Sequence, residues 1–292
     1  MQVNSSSKKS HIIKSYAKVN IGLNVIDKMQ NGYHEIETLM QQVNFYDTIK
    51  IEISSHKGEV VFSVKGNKIN CENEQNSCFI IAKLLKQKFK ITNQITITLH
   101  KNIPIGAGLG GGSSNAATIL NFINNYFNLN LTDNEKVDLC KNIGMDVPFF
   151  LKGKLQYAEN MGDKLSILPD LFKSYYFLLV YPEIIIPTQW AYLNIKKQLP
   201  IKKLHYNLLA LKTPLNWGVF ENDFEEVVIP RYPEIGEIKQ KMIENNAIYS
   251  SLSGSGSTVF GIYQDYDQAM QSAKTIDHTK YHVTVTTPIY KL

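Results

Sequence analysis

The sequence predicts an α+β protein organised in two halves, and three observations carry that prediction. The first 64 residues are dominated by segments rich in Ile, Val, Thr and Tyr with alternating stretches. A clean alternation over residues 94–100 runs into a glycine-serine stretch that opens a helical pattern. The second half begins with an unbroken apolar segment, residues 175–181, of the kind buried on both faces of a sheet.

Taken in order, residues 11–26, 35–54 and 59–64 read as strands. The polar segment 27–33 between the first two carries the turn signal Asn31-Gly32. Residues 76–89 place Phe79, Ile80, Leu84, Leu85 and Phe89 at helical spacing, and 94–100 form a strand. A helix is expected from Ser113 to about Phe127. Thr132-Asp133-Asn134-Glu135 then has the residues of a capping box and opens a helix ending near Asn142. Residues 147–151 and 154–158 are short apolar segments. Pro169 and Asp170 interrupt the pattern within 165–173, so we expect two domains, 1–166 and 167–292. Beyond the apolar strand, residues 188–246 read as helical and irregular. Strands are expected at 248–252, 259–263 and 282–287, with a helix at 266–275 between the last two.

Composition narrows the function. The chain has 292 residues, 43% hydrophobic and 20% charged, as in soluble globular proteins. Its net charge of +5, from 31 basic and 26 acidic residues, is scattered without a basic run, which argues against a nucleic-acid partner. Arg231 is the only arginine, so bound phosphate has to be held by lysine and backbone N–H groups. The three cysteines, Cys71, Cys78 and Cys140, are odd in number and lack metal-type spacing, which fits a reducing compartment. The first 14 residues hold no apolar core of signal-peptide length, and no segment approaches a membrane span. We therefore expect a cytoplasmic protein with no membrane partner, a monomer or homodimer.

The glycine run is Pro104-Ile105-Gly106-Ala107-Gly108-Leu109-Gly110-Gly111-Gly112-Ser113-Ser114-Asn115-Ala116-Ala117. Glycine permits positive φ and close backbone approach, so consecutive N–H groups can converge on phosphate oxygens. A helix start directly behind adds roughly half a positive charge. No lysine lies in the run, so it is not a Walker loop. Gly106, Gly108 and Gly111 satisfy the loose dinucleotide pattern, but residues 101–105 separate them from the preceding strand. Pro104, Gly108-Leu109-Gly110, Ser113-Ser114 and Ala116 instead resemble the second signature of the GHMP kinases, named for galactokinase, homoserine, mevalonate and phosphomevalonate kinases. Ala17-Lys18-Val19-Asn20-Ile21 is similar to the first signature of that family. Ser253-Gly254-Ser255-Gly256-Ser257-Thr258-Val259-Phe260-Gly261 is similar to the third.

The resemblance implies a two-domain GHMP kinase fold. Its N-terminal domain would be of the ribosomal-protein-S5-domain-2-like type and bind ATP; its C-terminal domain would be a ferredoxin-like α/β domain. It implies a small-molecule kinase that uses ATP, with Mg2+ as the nucleotide's counter-ion, Ser114 as a candidate ligand and no dedicated metal cage. Gly32-Tyr33-His34-Glu35, the triple glycine Gly110-Gly111-Gly112, Gly144-Met145-Asp146-Val147-Pro148-Phe149-Phe150 and Glu221-Asn222-Asp223-Phe224-Glu225 narrow the resemblance. They are similar to the branch whose acceptor is a cytidine-diphosphate sugar alcohol of the non-mevalonate isoprenoid pathway. That branch usually has alanine at Met145 and leucine at Phe224, both tolerable apolar changes. The alternatives are a mevalonate- or homoserine-type kinase of the same family, or an inactive ligand-sensing homologue.

By the same resemblance, Lys18 and Asp146 are the catalytic pair. Asp146 before Val147-Pro148 also suits a plain turn or helix-end residue, and Lys18 a strand edge. The nucleotide would be held by Asn76, Lys101, Pro104, Gly106, Gly108, Leu109, Gly110, Gly111, Gly112, Ser113 and Ser114. Asn76 equally suits the N-cap of its helix. On the acceptor side, Tyr33 and Tyr192 match positions that stack on cytosine, and His34 its hydrogen-bonding partner. Asn20, Thr188, Gly254 and Ser255 complete the acceptor contacts.

Overall fold

Two long strands open the fold. The computed structural model describes residues 9–67 and 72–291; Cys71 and the polar lead-in before Lys9 lie outside them. In chain order the elements are β1 (Lys9–Lys28), β2 (His34–Lys57), β3 (Val60–Gly66), α1 (Ser77–Lys88), β4 (Asn93–Lys101), α2 (Gly111–Tyr126), α3 (Asp133–Cys140) and α4 (Val147–Lys152). There follow β5 (Leu155–Asn160), β6 (Lys164–Ile167), β7 (Tyr176–Tyr181), α5 (Thr188–Leu193), α6 (Tyr206–Ala210), α7 (Glu225–Arg231), α8 (Pro233–Glu244), β8 (Tyr249–Leu252), β9 (Val259–Tyr263), α9 (Tyr266–Thr275) and β10 (His282–Thr286).

By contact the chain forms two units that do not follow chain order. One gathers the residues up to Tyr16, Tyr46–Ile105 and Gly111–Lys152; the other gathers Ala17–Phe45, Gly106–Gly110 and the residues from Gly153 onward. β1 and β2 contribute to both.

In the first unit, β4 lies between β3, which it pairs in parallel, and the second half of β2, which it pairs antiparallel with Ile51 opposite Ile97. The parallel pair needs a crossover, and α1 supplies it. Ile49, Ile51 and Ile53 on β2 and Ile95, Ile97 and Leu99 on β4 are all buried, as the alternation predicts. α2 turns Ala116, Ile119, Leu120 and Ile123 inward, an i, i+3, i+4, i+7 stripe. It starts at Gly111, two residues earlier than the apolar pattern suggests, because glycines carry no periodicity signal. The capping box of α3 forms as expected: Thr132 Oγ1 accepts from the Glu135 N–H and Glu135 accepts from the Thr132 N–H.

In the second unit, the first half of β2 pairs antiparallel with β5, which pairs with β6. β6 occupies residues where the sequence suggested only a boundary; its four residues are mostly exposed, and so lack an apolar signature. The other sheet has the order β10-β7-β9-β8, antiparallel throughout, with α9 between β9 and β10. That strand order is the ferredoxin-like one expected for the second half. β7 is buried on both faces for a visible reason. Leu178 and Val180 pack with Ile235, Ile238 and Met242 of α8 and Ala269 and Ala273 of α9. Phe177 stacks on Phe260, which continues through Tyr249 to Trp217.

Candidate active site

In the second unit, three segments far apart in sequence meet. Lys18 and Asn20 stand in the middle of β1, and both are buried. The Lys18 N–H donates to the Leu109 carbonyl at 3.0 Å, and the Thr258 N–H donates to the Ala107 carbonyl at 3.2 Å. The Lys18 ammonium donates to Asn20 Oδ1 at 2.6 Å and to the Gly108 carbonyl at 2.9 Å. The Ser253 hydroxyl donates to that same carbonyl at 2.8 Å and accepts from the Asn20 N–H at 3.3 Å. Asn20 Nδ2 reaches Thr38 Oγ1 at 3.2 Å. Gly108 has φ +77°, and a Cβ there would collide with the Ser253 carbonyl, so glycine is what lets the two loops close on each other.

The second glycine loop has its own supports. Asn222 Nδ2 donates to the Leu252 and Gly254 carbonyls, each at 2.9 Å. Glu225 accepts from the Ser251 hydroxyl at 2.7 Å and the Leu252 N–H at 2.9 Å, and pairs with Lys239. The Asn222–Glu225 segment, recognised in the sequence only by resemblance, is thus bonded to the strand that leads into the loop. Thr188 and Ser255 share a hydroxyl–hydroxyl hydrogen bond of 3.0 Å.

Two of the residues expected around a base are in contact with each other. His34 and Tyr192 stack on each other, ring centroids 4.7 Å apart and 12° from parallel, and Tyr192 meets Phe224 edge-on at 4.8 Å. Tyr33 is 55% exposed beside the Asn31-Gly32 turn. Burial and, secondarily, the charge of Lys28 hold the His34 imidazole below its ordinary pKa, with Asp27 opposing. At neutral pH the ring is therefore uncharged and offers one donor and one acceptor nitrogen.

In the first unit, the two ends of the glycine run, up to Ile105 and from Gly111, are built onto buried polar groups. Asn76 caps α1, its Oδ1 accepting from the Cys78 N–H at 2.9 Å, so its capping role is realised. Lys101 does not present its ammonium at a surface. The side chain is 3% exposed, and its Nζ bonds to Asp47 Oδ2 at 2.8 Å and to the Ile103 carbonyl. Its place is beneath the run. Ser114, 2% exposed, shares a hydrogen bond of 2.8 Å with Ser15. Gly112 is exposed, and a Cβ there would meet only Ser77 Oγ, at 3.8 Å. Asp146 is half-buried in the turn just before α4, and Gly144 in the same turn lies against Ser113; a Cβ on Gly144 would come within 2.8 Å of Ser113 Oγ. Among the described residues no group of three or more His, Cys, Asp or Glu side chains gathers as a metal cage. Cys78 and Cys140 are buried and free, and burial pushes the Cys140 thiol up to about 11.

Sequence reasoning missed Asp47, Ser15 and Asn115. The signal was present. Asp47 is in phase with Ile49, Ile51 and Ile53, and Lys101 with Ile95, Ile97 and Leu99, so opposite charges stand on two buried faces. The register that pairs Thr48 with His100, carried one step further, sets Asp47 opposite Lys101.

Comparison with known proteins places this geometry. Residues 76–154 match the GHMP kinases N terminal domain, and residues 202–274 match the GHMP kinases C terminal domain. A protein of Pelodictyon phaeoclathratiforme named 4-diphosphocytidyl-2-C-methyl-D-erythritol kinase is 38% identical over 283 residues, covering 95% of this chain and 96% of its own. A crystal structure of 4-(cytidine 5'-diphospho)-2C-methyl-D-erythritol kinase superposes with a TM-score of 0.82 at 26% identity, covering 95% of this chain and 99% of that one. The homoserine kinase of Cytophaga hutchinsonii, at 18% identity and a TM-score of 0.70 over 98% of this chain and 97% of its own, shares the fold. The chain belongs to the GHMP kinases and, within them, to the family of the 4-diphosphocytidyl-2-C-methyl-D-erythritol kinases. Kinases of this class use ATP.

Proposed function

We propose that this protein transfers the γ-phosphoryl group of ATP to the 2-hydroxyl of 4-diphosphocytidyl-2-C-methyl-D-erythritol, giving the 2-phosphate and ADP, in the non-mevalonate route to isoprenoids. The observation that carries the reading is the meeting of Lys18, Gly108 and Ser253, one residue from each of the three family signatures, on a single carbonyl. The names of the relatives supply the acceptor.

In this reading Asp146 orients the acceptor hydroxyl and takes its proton as the oxygen attacks phosphorus and ADP departs. Lys18 stabilises charge on the transferring group. The backbone from Pro104 to Ser114 and the start of α2 hold the nucleotide phosphates, with Asn76 nearer the adenine. Mg2+ would arrive on the nucleotide as its counter-ion and offset phosphate charge, with the Ser114 hydroxyl as the side chain that would help to hold it. His34 reads the base through an uncharged imidazole, with Tyr33 and Tyr192 as its stacking surfaces. Asn20, Thr188, Gly254 and Ser255 contact the polyol and its phosphates. We place the protein in the cytoplasm, as a monomer or homodimer acting on small molecules; no helix among the described residues is long and apolar enough to cross a membrane.

A coupled ADP-release assay tests the reading, with the cytidyl substrate, mevalonate and homoserine compared side by side. Turnover is expected with the first alone. Comparable turnover with either of the others would assign a different acceptor, and ADP release with none would assign a sensor.

A further inference from the structure

A fully buried polar cluster centred on Asp47 lies between the end of β4 and the start of α2. Asp47 is fully buried, and its carboxylate accepts four hydrogen bonds. Oδ1 takes the N–H groups of Asn102 at 2.7 Å and Ile103 at 2.8 Å, which carry the chain out of β4 towards the run. Oδ2 takes the Lys101 ammonium at 2.8 Å and Asn115 Nδ2 at 2.9 Å, and Asn115 belongs to the first turns of α2. From Asn115 the chain of bonds continues to Ser15 at 2.9 Å and from Ser15 to Ser114 at 2.8 Å. One carboxylate therefore ties the strand that enters the loop to the helix that leaves it.

Charge explains why Lys101 belongs to the cluster. An uncompensated carboxylate under the start of α2 would oppose the positive end of the helix and repel phosphate. Lys101 Nζ would lie 3.0 Å from a Cβ on Gly111, the first residue of α2, so the ammonium sits directly at the helix start and Gly111 leaves it room. Burial pulls the Lys101 ammonium below the ordinary lysine range, while the Asp47 carboxylate opposes that shift. Neither group is plausible alone, since a buried charge without its partner is far costlier than the pair.

We infer that Asp47, with Lys101 cancelling its charge, is a positioning residue for the nucleotide: it sets the phosphate-binding loop from its buried side without touching the ligand. This rests on the reading that residues 104–114 hold the phosphates of ATP. Asp47→Asn keeps an acceptor for the two N–H groups but turns an amide donor towards Lys101 and Asn115, leaving the lysine charge unanswered. Lys101→Met leaves the Asp47 carboxylate buried with three N–H donors and no counter-charge, and should weaken nucleotide binding by repelling phosphate. Adding Lys101→Met to Asp47→Asn removes the orphaned charge and restores part of the loss.

The test is steady-state kinetics on the full chain with both substrates varied, with calorimetric titration of ADP and thermal unfolding of the same samples. Asp47→Asn is expected to raise KM for ATP and Kd for ADP about tenfold, with KM for the acceptor within about twofold of the parent. The double variant should bind ADP more tightly than Asp47→Asn alone. Equal rises in both KM values, or a lower melting temperature with unchanged ADP binding, would mean that Asp47 only holds the fold, and overturns the inference. If Asp47→Asn does not fold, Lys101→Met and Asn115→Ala carry the same test, and unchanged ADP binding in both overturns it. Gly112→Ala separates the two levels. Weaker ADP binding in Gly112→Ala with unchanged binding in the Asp47 variants would sink the inference alone. Unchanged binding in all of them would sink the phosphate-loop reading as well.

Discussion

Around Asp47 each carboxylate oxygen takes two donors, no solvent reaches the group, and the loop it supports is fixed by strand and helix alike. Around His34 the construction is of another kind: a partly buried imidazole stacks on Tyr192, and a tyrosine stands mostly in solvent beside a turn. The first region, assigned to ATP, is built for one invariant group, a polyphosphate, and can be rigid. The second, assigned to the acceptor, uses aromatic faces, which accept a flat base at low entropic cost but select it only through a polar contact. Changes in the first region should therefore act on nucleotide binding, and changes in the second on acceptor binding. The chemical step belongs to neither.

The largest expected effect marks that third category. Asp146→Asn should lower kcat about a thousandfold, within the usual contribution of a general base, and leave both KM values and the melting temperature close to the parent. Near-normal turnover would remove Asp146 from the mechanism. A change in one KM as large as that in kcat would return the residue to a binding region.

Two glycines sharpen the donor side. Gly108→Ala forces positive φ on alanine and drives a methyl group into the Ser253 carbonyl, so it should destabilise the fold by about 2 kcal/mol or more. Gly112 lies within α2 in open space, so Gly112→Ala should leave stability unchanged or raise it by up to about 1 kcal/mol. If the phosphates lie against it, ATP binding should nevertheless weaken about thirtyfold. Thermal unfolding and ADP titration on the two variants would distinguish a glycine required by packing from one required by a ligand. Equal behaviour of the two would erase the distinction.

The contrast between the regions also governs what was legible in the sequence. Period-2 and period-3.6 patterns located the long strands, α1, α9 and the two-faced β7, because burial there is continuous. The glycine run and its two companion motifs were legible because a loop that closes on another loop, as Gly108 does on Ser253, tolerates few residue types. β6 was not, since an exposed four-residue strand has no apolar face. The Asp47 cluster was hidden for a different reason. Asp47 and Lys101 share the buried phase of their strands, but that phase names no partner, and residues 15 and 115 join them only through tertiary structure. Lys101 shows the same limit from the other side: proximity in sequence to the loop suggested an outward reach, whereas the strand phase turns it inward.

On the acceptor side, His34→Ala should raise KM for the cytidyl substrate about tenfold, a loss in the range of one base contact, with KM for ATP unchanged. Its pH dependence follows from the lowered imidazole pKa. The neutral ring exists above that pKa and is lost as pH falls through it. KM for the acceptor should thus stay flat from about pH 8 to 6.5, the ordinary histidine value, and rise only below it. His34→Gln, which keeps a donor and an acceptor without titrating, should abolish the rise. A KM that climbs above pH 7 instead would require the charged imidazole and contradict the assignment.

The smallest effect tests whether an exposed ring contributes at all. Tyr33 has 55% of its surface in solvent, so Tyr33→Ala should not change the melting temperature. Removing a stacking face on one side of the base should cost about 1 kcal/mol, roughly a fivefold rise in acceptor KM, and Tyr33→Phe should cost nothing because the face remains. If Tyr33→Ala costs as much as His34→Ala, the exposed ring must cover the base when it binds, and the acceptor region would be as closely determined as the one around Asp47. If it costs nothing, stacking falls to Tyr192 alone, and cytidine selectivity rests on the hydrogen bonds of His34.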